Sequence, residues 1–220
     1  MATFKNQNKI PLKNKVSNEI QKAILDGRLE PGQRLNEAKI ASEMGLSKSP
    51  VREAIKELTA DGILIAEPYK GTYVKGLSRK EAYELFTLRK ALETFAIELI
   101  LPEFTPKDMA LLEGIIDKMK TAMEKGRQKR LSELDMEFHR SLIKISGHDL
   151  LSEIWDKIAG RVKLYIHRNN QIIGDLDNLY ILHDSLYKNI CKKDIELAKG
   201  SIREHLDHSL DETLTVLNGK

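Results

Sequence analysis

Gly45-Leu46-Ser47-Lys48-Ser49-Pro50-Val51-Arg52-Glu53-Ala54-Ile55-Lys56-Glu57-Leu58 reads as a tight turn feeding a helix. Ser49 is placed to cap that helix by accepting a bond from an orphan backbone N–H. Pro50 then takes the first helical position, where its missing N–H costs nothing. Val51, Ala54, Ile55 and Leu58 recur at i, i+3, i+4 and i+7 and form one apolar stripe. Arg52 and Lys56 lie four apart on another face, beyond Ser47, Lys48 and Ser49 at the tip. A helix that buries one side and offers small hydroxyls and cations at its tip suits the major groove of DNA. An ordinary amphipathic surface helix carries the same pattern, because charged outer faces are common.

The flanking sequence places this helix in a larger unit. Residues 16–26 carry apolar side chains at 16, 20, 23 and 24, and Gly27 ends that helix. Residues 29–32 form a turn. Asn36 caps a short helix over 37–44 with Leu35, Ala38, Ile40 and Ala41 facing inward, and Gly45 closes it. After a stop near Asp61-Gly62, two β-prone runs, 63–67 and 72–74, surround the turn 68–71. Three helices followed by a hairpin make a winged helix-turn-helix over residues 1–76. Lys70 at the hairpin tip is placed to touch neighbouring phosphates or the minor groove. Residues 1–10 read as a polar, lysine-rich arm, with no apolar core that would make them a signal peptide.

Lys75-Gly76-Leu77 reads as a linker, and Ser78-Arg79-Lys80-Glu81 has the capping-box pattern that starts a new helix. From there no strand signal appears. Six helical stretches are expected, at 79–100, 106–125, 128–146, 149–170, 176–192 and 194–217, with breaks at Pro102, Gly126, Gly147, Gly174 and near Asp194. Residues 77–220 are therefore expected to form an all-α antiparallel bundle, of six helices or of seven, and the fold class is mainly α.

Bulk composition narrows the class. The chain of 220 residues allows one or two domains, and at 41% hydrophobic and 31% charged it is globular rather than disordered. Aromatic residues are only 5%, which points to a core of Leu and Ile. The single cysteine, Cys191, excludes an internal disulfide and fits a reducing, cytoplasmic setting. No apolar run reaches the ~20 residues that span a bilayer. Net charge is +3, yet residues 1–76 hold 13 basic against 9 acidic side chains, so the excess lies in the unit with the candidate recognition helix.

A second constellation lies in the bundle. Asp135 and His139 are i and i+4, so both leave one helix face a turn apart, as a divalent metal requires. His183 and His205 sit in the last two helices, flanked by Leu182, Leu186, Ile202 and Leu206. Buried unpaired Asp and His are costly, and a shared ion would remove that cost. Taken singly, each histidine also fits a solvated or core position. Neutral imidazoles with one carboxylate suit Zn²⁺, Ni²⁺, Mn²⁺ or Fe²⁺ alike. His148, His167 and His208 read as structural or exposed. Arg89, among apolar neighbours on the first bundle helix, and Arg161, with Tyr165 one turn on, are candidates to clamp an anionic effector through a planar fork. Either arginine fits a salt bridge to a neighbouring helix as well.

These pieces resemble a known family. Leu29-Glu30-Pro31-Gly32-Gln33-Arg34-Leu35-Asn36-Glu37, Ala41 and the stretch 45–54 are similar to the winged helix-turn-helix of GntR-type transcription regulators. Arg89 with Leu92-Glu93, Asp135-Met136-Glu137-Phe138-His139, Ser146-Gly147, His183 and Arg203-Glu204-His205-Leu206 resemble the ligand-binding (FCD) domain of the FadR-type branch. The resemblance implies a dimeric bacterial regulator, more often a repressor, on a palindromic operator, with affinity set by a small, often carboxylate, effector. It implies a metal on Asp135, His139, His183 and His205. Three departures stand out: Ala38 replaces a frequent arginine, Lys48 replaces the usual arginine in the turn, and Leu182 replaces a usual glutamate before His183. Arg52 keeps the family's arginine and is the candidate for reading a guanine.

Two other functions fit parts of the chain. His183-Asp184 and His148-Asp149 resemble the His-Asp pair of metal phosphohydrolases, where an open metal position activates water. That reading lacks an evident general base and leaves the basic winged helix unexplained. An architectural DNA-binding protein with a purely structural bundle would need no effector.

Overall fold

A computed structural model describes residues 11–218. The arm expected over residues 1–10 lies outside the described residues. The chain divides into two compact units, Met1–Gly76 and Leu77–Lys220.

The first unit contains α1 (Leu12–Leu25), α2 (Glu37–Glu43), α3 (Lys48–Ala60), β1 (Leu64–Glu67) and β2 (Gly71–Val74). Val16, Ile20 and Ala23 of α1 are buried together with Val51, Ala54, Ile55 and Leu58 of α3, and the two helices pack on one another. The apolar stripe of the recognition helix is thus consumed inside the unit, which leaves its charged side in water. Asn36 caps α2 by accepting a hydrogen bond from the Lys39 N–H at 3.1 Å. Gly45 follows α2 at φ +64°, a left-handed turn that glycine adopts without a Cβ clash and that redirects the chain into α3. β1 and β2 pair antiparallel from Leu64↔Val74 to Glu67↔Gly71. Leu35 donates its N–H to the Thr72 carbonyl at 2.8 Å, which lays the segment before α2 along the hairpin.

Two local expectations are corrected. α3 begins at Lys48 with Ser47 at its N-cap and no side-chain cap, so Ser49 does not cap it and Pro50 is its third residue. The third N–H of a helix has no intrahelical acceptor either, so proline is tolerated there for the same reason as at the first. The Ser49 hydroxyl turns to the Glu53 carboxylate at 3.3 Å. Ala38 is exposed rather than inward, and α2 buries Ala41.

The second unit holds α4 (Arg79–Ile100), a short 3-10 turn (Leu101–Glu103), α5 (Pro106–Glu124), α6 (Gln128–Ile145), α7 (Asp149–Ile173), α8 (Leu176–Cys191) and α9 (Ile195–Asn218). Among the described residues the bundle therefore has six α-helices and no strand. α7 continues three residues past the expected stop at 170 and ends at Gly174. Ser78 starts α4 by accepting from the Glu81 N–H at 3.2 Å. His148 caps α7 through its Nδ1, which accepts from the Leu151 N–H at 3.1 Å. α4 packs on α9 and α6, and α5 on α6 and α8, around Phe86, Ile97, Met119, Phe138, Trp155 and Ile202. Among the described residues no helix is long and apolar enough to cross a membrane.

Thr105 forms a reciprocal capping box with Asp108 ahead of Pro106. Thr105→Ala is expected to lower stability by about 1 kcal/mol, since it orphans the Asp108 N–H, and urea unfolding measures it.

Candidate functional site

α6 carries Asp135 and His139, α8 carries His183 and α9 carries His205, and all four side chains are buried. One ligand atom from each lies within 4.8 Å of every other. His139 Nε2 is 3.1 Å from His205 Nε2 and 3.2 Å from His183 Nε2. Asp135 Oδ1 is 3.1 Å from His183 Nε2 and 3.9 Å from His139 Nε2.

The outer nitrogens of two rings decide what the inner ones present. His139 Nδ1 lies 2.5 Å from Glu93 Oε2 and donates to it. His183 Nδ1 donates to the Leu179 carbonyl at 2.8 Å, so a backbone oxygen serves where the sequence lacks a glutamate. An imidazole in its neutral form holds one proton, so with that proton on Nδ1 each ring offers an unprotonated Nε2 inward, the form that ligates a metal. Burial pushes His139 and His205 well below the ordinary 6.5, which keeps them neutral. Burial also drives the Asp135 carboxyl up; a proton on the facing His183, then the charges of His139 and Arg89, hold it low, and a cation among bare Nε2 atoms acts in the same direction. Asp135 Oδ2 and His205 Nδ1 have no hydrogen-bond partner. Lone pairs converging in a dry interior repel unless a cation or a shared proton sits among them.

The imidazole spacing fits a metal ion, while the 3.9 Å between Asp135 Oδ1 and His139 Nε2 is wider than a tetrahedral pair. Ligands about 2.0–2.1 Å from one ion stand roughly 3.0 Å apart at a right angle and roughly 3.4 Å apart at a tetrahedral angle. The 3.1 and 3.2 Å separations of the imidazole nitrogens fall between these limits.

α4 supplies the layer behind the histidines. Arg89 is fully buried and its Nε donates to Glu93 Oε1 at 2.6 Å. Its Cζ lies 5.5 Å from the Trp155 ring and 5.9 Å from the Phe86 ring, while Nη1 and Nη2 have no hydrogen-bond partner. Burial pushes the Glu93 carboxyl up and Arg89 opposes it. With a guanidinium on one oxygen and an imidazole N–H on the other, the carboxylate form satisfies both partners. In the sequence Glu93 stands out only as part of a motif; its four-residue spacing from Arg89 is the available sign of a pair.

Arg161 and Tyr165 meet the start of α4. Arg161 Nη1 approaches Glu81 Oε1 at 3.4 Å. The Tyr165 hydroxyl accepts from the Ser78 N–H and donates to the Ser78 carbonyl, each at 3.0 Å. Burial pushes that phenol up to about 12.

The exposed side of α3 forms the second candidate surface. Ser47, Lys48, Ser49, Arg52 and Lys56 are exposed and Pro50 is half-buried. Arg52 Nε donates to Glu37 Oε2 at 2.7 Å. Lys70, in the hairpin turn, pairs with Glu67 at 3.2 Å. Arg34 is a surface cation that no periodicity in the sequence singles out. Its Nε would lie 2.8 Å from a Cβ at residue 71, so it rests on the hairpin backbone only because Gly71, at φ +120°, has no side chain. Arg34, Asn36, Glu37, Lys48, Gly71 and Thr72 share an open cleft of about 570 Å³.

A winged helix followed in the chain by a helical bundle with a buried Asp/His cluster defines a class of regulator. Residues 12–74 match the bacterial regulatory proteins of the gntR family, and residues 84–208 match the FCD domain. The chain belongs to the GntR family of DNA-binding transcription regulators, in the FadR-type branch that carries an FCD domain, and it is not an enzyme. It is 28% identical over 220 residues to YdhC of Bacillus subtilis, an uncharacterized HTH-type transcriptional regulator, covering 99% of this chain and 97% of that one. It is 28% identical over 198 residues to the gluconate operon transcriptional repressor of Bacillus licheniformis, covering 88% and 81%. The solved structure of Escherichia coli McbR/YncC superposes with a TM-score of 0.81 at 24% identity, over 94% of this chain and 99% of that one. The hydrolase reading falls with this assignment. Asp184 also turns away to Lys188 at 2.7 Å on the surface of α8.

Proposed function

We propose that the protein is a repressor in the bacterial cytoplasm that binds a palindromic operator as a homodimer and changes its DNA affinity when a small carboxylate binds. Residues 1–76 grip the duplex and residues 77–220 sense the effector. Asp135, His139, His183 and His205 hold a divalent transition metal, with Zn²⁺, Ni²⁺, Mn²⁺ and Fe²⁺ all compatible with the donors. The observation that carries this reading is the convergence of three Nε2 atoms, two with their outer nitrogens engaged, on one buried carboxylate. When bound, the ion supplies a Lewis-acidic position for an anionic oxygen.

The chain's own residues frame that position. Arg89 has two unpartnered amino groups in the dry interior, which suits one carboxylate in a bidentate grip. Arg161 and Tyr165 complete the effector set by holding the start of α4. On DNA, Ser47, Ser49 and Pro50 pack at the helix tip, Lys48, Lys56 and Lys70 contact phosphates, and Arg52 reads a guanine. That the Bacillus licheniformis relative controls a gluconate operon favours a sugar-acid class of effector.

Thermal unfolding with and without metal tests the proposal. After chelation, an ion at a hundred times its Kd should stabilise by about 2.7 kcal/mol, a rise in Tm of roughly 5–10 °C. His205→Ala should abolish that rise. A panel of small carboxylates including gluconate should then give a further rise only in the metal-loaded protein. Equal metal response in the wild type and His205→Ala would remove the centre from the account.

A further inference from the structure

We infer that Glu37 is a positioning residue for DNA reading: it fixes the Arg52 guanidinium so that one defined edge faces the base. The inference rests on the reading of Arg52 as the guanine contact. Glu37 opens α2, Arg52 lies one turn into α3, and the two meet at 2.7 Å between Oε2 and Nε, fifteen residues apart in sequence.

Stability does not account for the pair. The Arg52 and Glu37 side chains are 67% and 38% exposed, and exposed ion pairs of this kind contribute little to folding. Electrostatics alone argues against a carboxylate here. Glu37 lines the same cleft as Arg34 and Lys48, on a surface that must approach phosphates. A carboxylate in the first turn of α2 suits the helix dipole, which accounts for the charge of Glu37 but not for its contact with Arg52. Arginine offers five N–H donors in a fixed planar fork. With Nε engaged by Glu37, the Nη1/Nη2 edge is left free, and its spacing matches the O6 and N7 acceptors of guanine. A long side chain held in advance loses less freedom on binding. Once the duplex excludes water, the Glu37 contact strengthens and the alternative orientations of the fork are penalised further.

Selection from a pool of random duplexes at fixed salt tests this in the full chain and needs no operator sequence in hand. The wild type should show a guanine preference that Arg52→Ala erases. Glu37→Ala should reduce preference at that same base pair roughly tenfold, while affinity for unselected duplex holds or rises. Glu37→Gln, whose amide oxygen still accepts the Nε–H, should recover part of the preference. Three results overturn the inference while leaving the base reading intact: an unchanged profile in Glu37→Ala, a loss confined to a different base pair, or an equal loss on all sequences. A profile untouched by Arg52→Ala overturns the base reading, and the positioning role with it.

Discussion

Glu93→Ala is expected to destabilise the helical unit by about 3–5 kcal/mol, because it strands the fully buried Arg89 guanidinium without its carboxylate. In a chain of this size that corresponds to a fall in Tm of roughly 6–20 °C. The same substitution removes the acceptor that orients His139, since Glu93 Oε1 takes Arg89 Nε and Oε2 takes His139 Nδ1. Metal affinity should fall about 10- to 100-fold, the usual effect of losing a partner that orients a ligating histidine. A paired variant separates the two roles. Replacing Arg89 by methionine in the Glu93→Ala background removes the stranded charge and should recover much of the stability. It does nothing for His139, so metal affinity should stay low. Urea unfolding and a metal titration on the same samples read both quantities. Wild-type stability in the single variant would mean that Arg89 finds another counter-charge, and the account of α4 as the support of the histidines would fall.

The parts of this arrangement that are readable in the sequence are those set by short-range periodicity. Val51, Ala54, Ile55 and Leu58 mark a buried stripe because a helix repeats every 3.6 residues, and they are buried in the structure. Asn36 and Thr105 mark helix starts because their side chains satisfy backbone donors three residues on, and both do so. The start of α3 is less legible. Proline is compatible with any position in the first helical turn, so Pro50 does not distinguish a cap at Ser47 from one at Ser49. Ala38 misleads because a methyl group is nearly indifferent to which side of α2 it takes.

Contacts between distant segments are out of reach of spacing. Asp135 and His139 announce themselves at i and i+4, but nothing local ties His139 to Glu93, 46 residues earlier. Leu179 supports His183 through a carbonyl that every residue possesses, so no side chain signals it. The absence of a glutamate before His183 looks like a missing support and is not, because the helix backbone supplies one. Arg34 is the parallel case in the first unit. Its place on the hairpin depends on the bare backbone of Gly71, a fact of register rather than of composition.

Arg52→Ala should erase operator discrimination while sparing most of the non-specific grip. A bidentate arginine–guanine contact contributes about 1–3 kcal/mol of discrimination. In the proposed dimer, two recognition helices related by a two-fold double that to about 2–6 kcal/mol, roughly thirtyfold to twenty-thousandfold in affinity for the selected site. Affinity for random duplex should change far less, since it comes mainly from phosphate neutralisation. Lys56→Ala and Lys70→Ala should behave in the opposite way, weakening all sequences together and lowering the salt slope by about 1 for each phosphate left without its lysine. The decisive comparison is Arg52→Lys. It keeps the cation near Glu37 but gives up the planar fork, so it should bind random DNA as the wild type does and still fail to distinguish the operator. A selected-to-random affinity ratio in Arg52→Lys within about twofold of the wild type, far short of the loss expected for a bidentate pairing, would show that charge alone suffices at this position. Discrimination would then lie elsewhere on the face, with Ser47 and the cleft that Lys48 shares with Arg34 as the places to test next.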